Sequence, residues 1–142
     1  MVMGPDEILV ELVEVPSQKT PFAMHHIHFA GPDAAEMAAW YEKVFGAKRA
    51  TAGSSDAALY LSQLTFETAA TPVVGTKGRA LDHIGFEVRG LEAFAIELQA
   101  MGIRLDRPHM KANLPDLGPI GVVFITDPWG TYIELNEGYR AQ

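Results

Sequence analysis

The chain says nearly the same thing twice. His26 to Gly46 spans 20 positions and His83 to Gly102 spans 19. Each interval holds a short run of alternating apolar residues, a break, an amphipathic stretch and a glycine stop, and each is followed by segments of strand character. Self-similarity at such a period constrains a fold more than any single residue can, because each copy must form the same unit and bury the same face. The pattern predicts an α+β chain of two tandem β-α-β-β-β modules.

In the second copy, Ile84, Phe86 and Val88 alternate with small or polar neighbours, the period of a half-buried strand. Positions two apart share a face, so His83 projects with Gly85 and away from Ile84. In the first copy, Met24 to Phe29 is the matching strand, with His26 and His28 on one face and His25, Ile27 and Phe29 on the other. Asp33 followed by Glu36 reads as a capping box, and Met37, Trp40, Tyr41, Val44 and Phe45 form an apolar stripe ending at Gly46. Short strands are expected near residues 48–51, 58–62 and 64–68, then a Pro/Gly-containing connection over 71–80. After the second stripe (Leu91, Phe94, Leu98, Met101), residues 103–105 read as a strand and 107–118 as a long loop of lid or pocket-wall type. Strands over 121–126 and 131–135 flank the Asp127-Pro128-Trp129-Gly130 turn.

The boundaries that follow are an N-terminal strand and linker over 1–23, a first module over 24–80 and a second over 81–142, together one structural domain. Residues 8–15 read as the extra N-terminal strand. Residues 4–14 align without gaps on 127–137, setting Glu11 against Glu134 and Glu14 against Glu137. The chain thus starts with what looks like the last strand of a preceding unit, or with a strand that covers a sheet edge.

At 142 residues and net charge −7, with no basic block, the chain is no nucleic-acid binder. It has no cysteine, so any metal must take nitrogen and oxygen ligands. No apolar run reaches membrane-span length and the N-terminus lacks a signal-peptide pattern, so a cytoplasmic location is expected.

His26, His83 and Glu134 occupy matched places: the first strand of each module and the last strand of the second. Two imidazoles and a carboxylate held on strands are a facial ligand set for a divalent metal with open coordination positions. His28, beside His26, is a substrate partner, a proton shuttle near neutral pH or a filler of the sheet interior. Glu67 is a ligand, a general base or a solvated carboxylate. His25 reads as structural. His109, Lys111 and Asn113 on the 107–118 loop suit an anion clamp or plain solvation, and Tyr60 and Tyr132 could turn hydroxyls to a cleft or pack in the core.

The run Asp82 to Val88, the helix ending Ala100-Met101-Gly102-Ile103, and Thr126-Asp127-Pro128-Trp129-Gly130-Thr131-Tyr132-Ile133-Glu134-Leu135 resemble the vicinal oxygen chelate superfamily. That superfamily takes in glyoxalase I, methylmalonyl-CoA epimerase, fosfomycin-resistance transferases, extradiol dioxygenases and bleomycin-binding proteins. The resemblance implies curled mixed sheets around a metal cleft, with His26, His83 and Glu134 as ligands and Thr65 or Glu67 as the candidate for a fourth. It implies a divalent ion (Zn, Ni, Co, Mn or Fe), a small-molecule substrate and a homodimer. The activity expected is Lewis-acid stabilisation of an enediolate or other oxyanion, with His28 and Glu67 as catalytic candidates and His109, Lys111, Asn113 and Tyr132 as substrate contacts. Ring cleavage of a catechol with Fe(II) is one alternative, and a metal-free binding protein the other. The two histidines and the glutamate, which the binding proteins generally lack, favour an enzyme.

Overall fold

A computed structural model describes residues 1–51, 53–59, 62–116 and 118–139; Tyr60 lies outside the described residues. The fold is α+β, with two four-stranded mixed sheets and a two-stranded N-terminal pair. The chain divides into two compact units, Met1–Val73 and Val74–Gln142.

In the first unit, β1 (Val2–Met3) and β2 (Leu9–Val10) form a short antiparallel hairpin around a 3-10 turn at Pro5–Glu7. The single strand expected over 8–15 is therefore reduced to two residues. Asp6 and Glu7 take positive φ (56° and 61°), which turns the chain back on itself, and residues 11–25 pair with no strand among the described residues. Then come β3 (His26–Gly31), α1 (Ala34–Phe45), β4 (Lys48–Arg49), β5 (Asp56–Leu59) and β6 (Ser62–Thr68), in sheet order β3-β6-β5-β4. The α1 signals act as the sequence implies. The Asp33 carboxylate accepts the N–H groups of Ala35 and Glu36 at 2.9 and 3.0 Å. At the other end Gly46 adopts φ 68°, a left-handed stop. Met37, Ala38, Tyr41 and Val44 are buried, as are Phe29, Leu64 and Phe66 of the sheet, and the Tyr41 ring packs on Phe29 and Phe66. Ile27 and Phe29 thus face the helix, and alternation sends His26 and His28 to the other face.

The second unit runs β7 (Ile84–Glu87), α2 (Leu91–Ala100), β8 (Leu105–Leu114), β9 (Gly118–Thr126) and β10 (Tyr132–Glu137), in sheet order β7-β10-β9-β8. Both sheets therefore follow one plan, in which the last strand runs parallel to the first (β6 beside β3, β10 beside β7) and antiparallel to its predecessor. Leu91, Ala95 and Leu98 of α2 are buried, as are Val123, Ile125, Ile133 and Leu135. Two features depart from expectation. Most of the loop expected over 107–118 is strand: β8 continues to Leu114 and pairs antiparallel with β9, with register shifts between Leu105 and Arg107 and between Arg107 and Met110. Secondly, α2 begins at a left-handed Gly90 with no capping side chain of its own. Glu137 supplies the cap instead, its carboxylate accepting the N–H groups of Gly90 and Leu91 at 2.6 and 3.1 Å.

Candidate metal-binding clusters

In the first unit, three donor atoms converge. Glu11 Oε2 lies 2.9 Å from Nε2 of His26 and 2.9 Å from Nε2 of His28, and the two Nε2 atoms are 2.5 Å apart. Strand β3 supplies both imidazoles because residues two apart share a face; Glu11 reaches them from the segment after β2. Glu67, on the same face of neighbouring β6, lies 2.9 Å from His28 Nδ1. His25 Nδ1 lies 2.7 Å from His26 Nδ1. Glu11, His26 and His28 form a group that could hold a metal ion.

The electrostatics favour positive charge there. Burial of the His28 ring opposes its imidazolium form, yet Glu11 and Glu67 outweigh it and the pKa stands above the ordinary histidine value. The hydrogen bonds from His28 and then His26 hold the Glu11 carboxyl below the usual carboxylate range. A place that stabilises a proton between ring nitrogens also stabilises a cation. Metal–nitrogen bonds of about 2.0–2.1 Å set two ligating nitrogens roughly 3 Å apart, and the donor atoms of Glu11, His26 and His28 all lie within 4.8 Å of one another.

In the second unit, His83 Nε2 lies 3.2 Å from Glu134 Oε2, and His83 Nδ1 lies 2.8 Å from Asp82 Oδ1. Glu134 is in β10, opposite Gly85 of β7; its other oxygen accepts a 3.3 Å hydrogen bond from the Asn136 amide. Asp82 is anchored by the N–H of Gly78, and this hydrogen bond, followed by that from His83, keeps its pKa low. Phe124 and Tyr132 stack on each other at 4.9 Å, and His83 meets both edge-on, at 5.7 and 6.2 Å. Tyr132 is buried, and its hydroxyl has no hydrogen-bond partner among the described residues. A Cβ on Gly85 would meet the Asn136 amide at 3.6 Å, so the space beside this glycine is bordered by Asn136.

Of the residues singled out in the sequence, His83, Glu134 and Tyr132 are gathered in the second unit; His26, His28 and Glu67 are gathered in the first. His109, Lys111 and Asn113 sit in β8 rather than in a loop. Lys111 pairs with Gly121 and Asn113 with Pro119, on the sheet face that packs on α2, and Lys111 Nζ is 3.0 Å from Glu92 of that helix. The His109 ring lies over Gly121 beside Leu91. Glu134 pairs with Phe124 and looks out from the opposite face. The residues that sequence reasoning missed are Glu11 and Asp82; the alignment of Glu11 on Glu134 was the available signal for the first.

A family model described as Glyoxalase/Bleomycin resistance protein/Dioxygenase superfamily matches residues 23–135. No curated protein matches the sequence. Among solved structures, a protein from the mobile metagenome of V. pseudocholerae is 18% identical with a TM-score of 0.64, over 87% of this chain and 98% of that one. The fosfomycin resistance protein FosX from Listeria monocytogenes is 16% identical with a TM-score of 0.63, over 84% and 95%. Lactoylglutathione lyase from Agrobacterium tumefaciens is 20% identical with a TM-score of 0.58, over 85% and 97%. At these identities the likeness is one of fold.

Proposed function

The chain belongs to the glyoxalase/bleomycin resistance protein/dioxygenase superfamily, and on that footing we propose that it is a divalent-metal-dependent enzyme acting on a small oxygen-rich substrate by lyase or isomerase chemistry. The supporting observation is one arrangement found in both units: a histidine with one carboxylate at Nε2 and another at Nδ1. The sets are Glu11, His28 and Glu67 in the first unit, and Glu134, His83 and Asp82 in the second. A carboxylate behind Nδ1 fixes the tautomer and aims Nε2 at a cation, the usual surroundings of a metal-ligating histidine. His26 and His28 are the imidazole donors of the first unit, and His83 and Glu134 the donors of the second.

When bound, the ion supplies a Lewis acid that stabilises negative charge developing on a substrate oxygen. The chain's own groups hold and move the protons. Asp82 keeps the His83 proton on Nδ1, and Asn136 steadies the second oxygen of Glu134. Glu67, whose side chain is 59% exposed, is the base we assign to proton transfer, with His28 as its hydrogen-bond partner. The reading includes a homodimer, as the resemblance implies, and the cytoplasmic location expected from the sequence.

The test is elemental analysis of the purified chain beside His83→Ala and Glu134→Ala, with lactoylglutathione and fosfomycin as first trial substrates. Metal bound by the wild type, with the share held by the second-unit donors lost from both variants, is the expected result; a metal content equal to the wild type's in both variants overturns the assignment of His83 and Glu134. One observation favours a second reading, Fe(II)-dependent ring cleavage: the Tyr132 ring meets His83 edge-on, and its buried hydroxyl has no hydrogen-bond partner among the described residues. Iron in the purified protein with turnover of a catechol would select it.

A further inference from the structure

We propose that Glu11, which precedes the family-matched stretch, is a metal ligand of the first unit and does there what Glu134 does in the second. The inference rests on the metal-dependent reading above and adds to it a ligand from outside the matched residues 23–135.

The argument starts from the equivalence of the two sheets. His26 stands seven residues before the helix cap Asp33, and His83 seven before the cap Gly90. His28 and Gly85 are therefore equivalent, each two residues further along the first strand. In the second sheet Glu134 stands opposite Gly85. In the first sheet the residue opposite His28 is Thr65. Threonine brings no charge, and its hydroxyl is committed to Asp56 Oδ1 at 2.8 Å. The first sheet thus lacks a carboxylate in β6 opposite His28, and the carboxylate that this rung does hold, Asp56 of β5, accepts from the Thr65 hydroxyl.

Glu11 fills that lack from another direction. One of its oxygens is 2.9 Å from the Nε2 atoms of both His26 and His28, closer than Glu134 comes to His83 at 3.2 Å. Glu11 is also the residue that aligns with Glu134 when 4–14 is set against 127–137. Two imidazoles and one carboxylate on one side of a strand form the facial set that suits zinc, nickel, cobalt or ferrous iron. Glu67, which meets His28 at Nδ1 and not at Nε2, orients this set without belonging to it. The N-terminal segment is on this account a working part of the site.

Calorimetric titration of the metal-free full chain with Co²⁺, with elemental analysis after dialysis, tests the proposal. Glu11→Gln is isosteric, at an exposed position, and is expected to weaken binding by more than about a hundredfold, beyond the roughly 10–100-fold that loss of an orienting neighbour costs. Adding Thr65→Glu to that variant puts a carboxylate in β6 opposite His28 and is expected to recover most of the lost affinity. Circular dichroism melts establish that each variant is folded. Wild-type affinity in Glu11→Gln, or no recovery in the folded double variant, overturns the role given to Glu11 and leaves the metal-dependent reading standing. A wild-type chain that takes up no Co²⁺ overturns both.

Discussion

The Asp82 carboxylate lies 2.8 Å from Nδ1 of His83, behind the ring nitrogen that faces Glu134. Its effect is to fix which nitrogen carries the proton. Asp82→Asn keeps the shape and removes the charge, so the neutral His83 tautomer with Nε2 bare is less favoured. Metal affinity at His83 is expected to fall by roughly 10–100-fold with little change in melting temperature. Competition against a chromophoric chelator measures this; an unchanged affinity would show that Asp82 does not orient the ring.

The turn before β10 depends on a buried carboxylate. Asp127 is 3% exposed, and its Oδ1 accepts the N–H groups of Trp129 at 3.0 Å and Thr131 at 2.7 Å. Asp127→Ala removes the carboxylate acceptor of these two part-buried N–H groups, and the expected cost is about 2–3 kcal/mol. Asp127→Asn keeps an acceptor oxygen and should lose much less. Urea unfolding of the two variants side by side gives the comparison, and equal losses would contradict the hydrogen-bond account.

The acid side of the stability profile carries a contribution from Glu92. The Lys111 hydrogen bond first, and then the charges of Lys111 and His109, hold its carboxyl below the usual carboxylate range. A carboxylate with a depressed folded-state pKa adds stability that is present above its unfolded pKa and disappears as pH falls through the folded one. Glu92→Gln should therefore flatten the fall in urea midpoint below about pH 4.5, the ordinary carboxylate range, and leave the slope near neutrality alone. The pair is solvent-exposed, so the effect is small. An acid limb as steep in the variant as in the wild type would rule the pair out.

What the sequence discloses here is what short-range physics decides. The repeat, the α1 stripe with Asp33 and Gly46 at its ends, and strand β10 are all readable because each signal lies within a turn or a strand of the structure it causes. The cap of α2 is not readable, because Glu137 comes to Gly90 from the far end of the unit. Strand β8 is hidden for a related reason: Pro108, His109 and Asn113 read as loop chemistry, and pairing with β9 overrides that local preference. The choice between Thr65 and Glu67 could not be made from alternation, since both fall on one face; only the register with β3 separates them. Glu11 was visible as the counterpart of Glu134, but its meeting with His26 and His28 depends on the path of a segment with few strand partners.

The irregular register of β8 bears on which mutations this unit can survive. Two residues separate Arg107 from Met110, while a single residue separates their partners Phe124 and Val122, so one position of β8 goes without an opposite number. Removing one residue there would restore even pairing and leave Arg107 and Met110 on their present face. In β10 six consecutive residues pair with β9 without a break, and the same deletion would turn Glu134 and Asn136 toward the helix. Tolerance to length change is thus concentrated at the bulge. In a single-residue deletion scan read out by soluble expression and metal uptake, variants should persist at 108–109 and vanish through 132–137; the opposite distribution would contradict the pairing described.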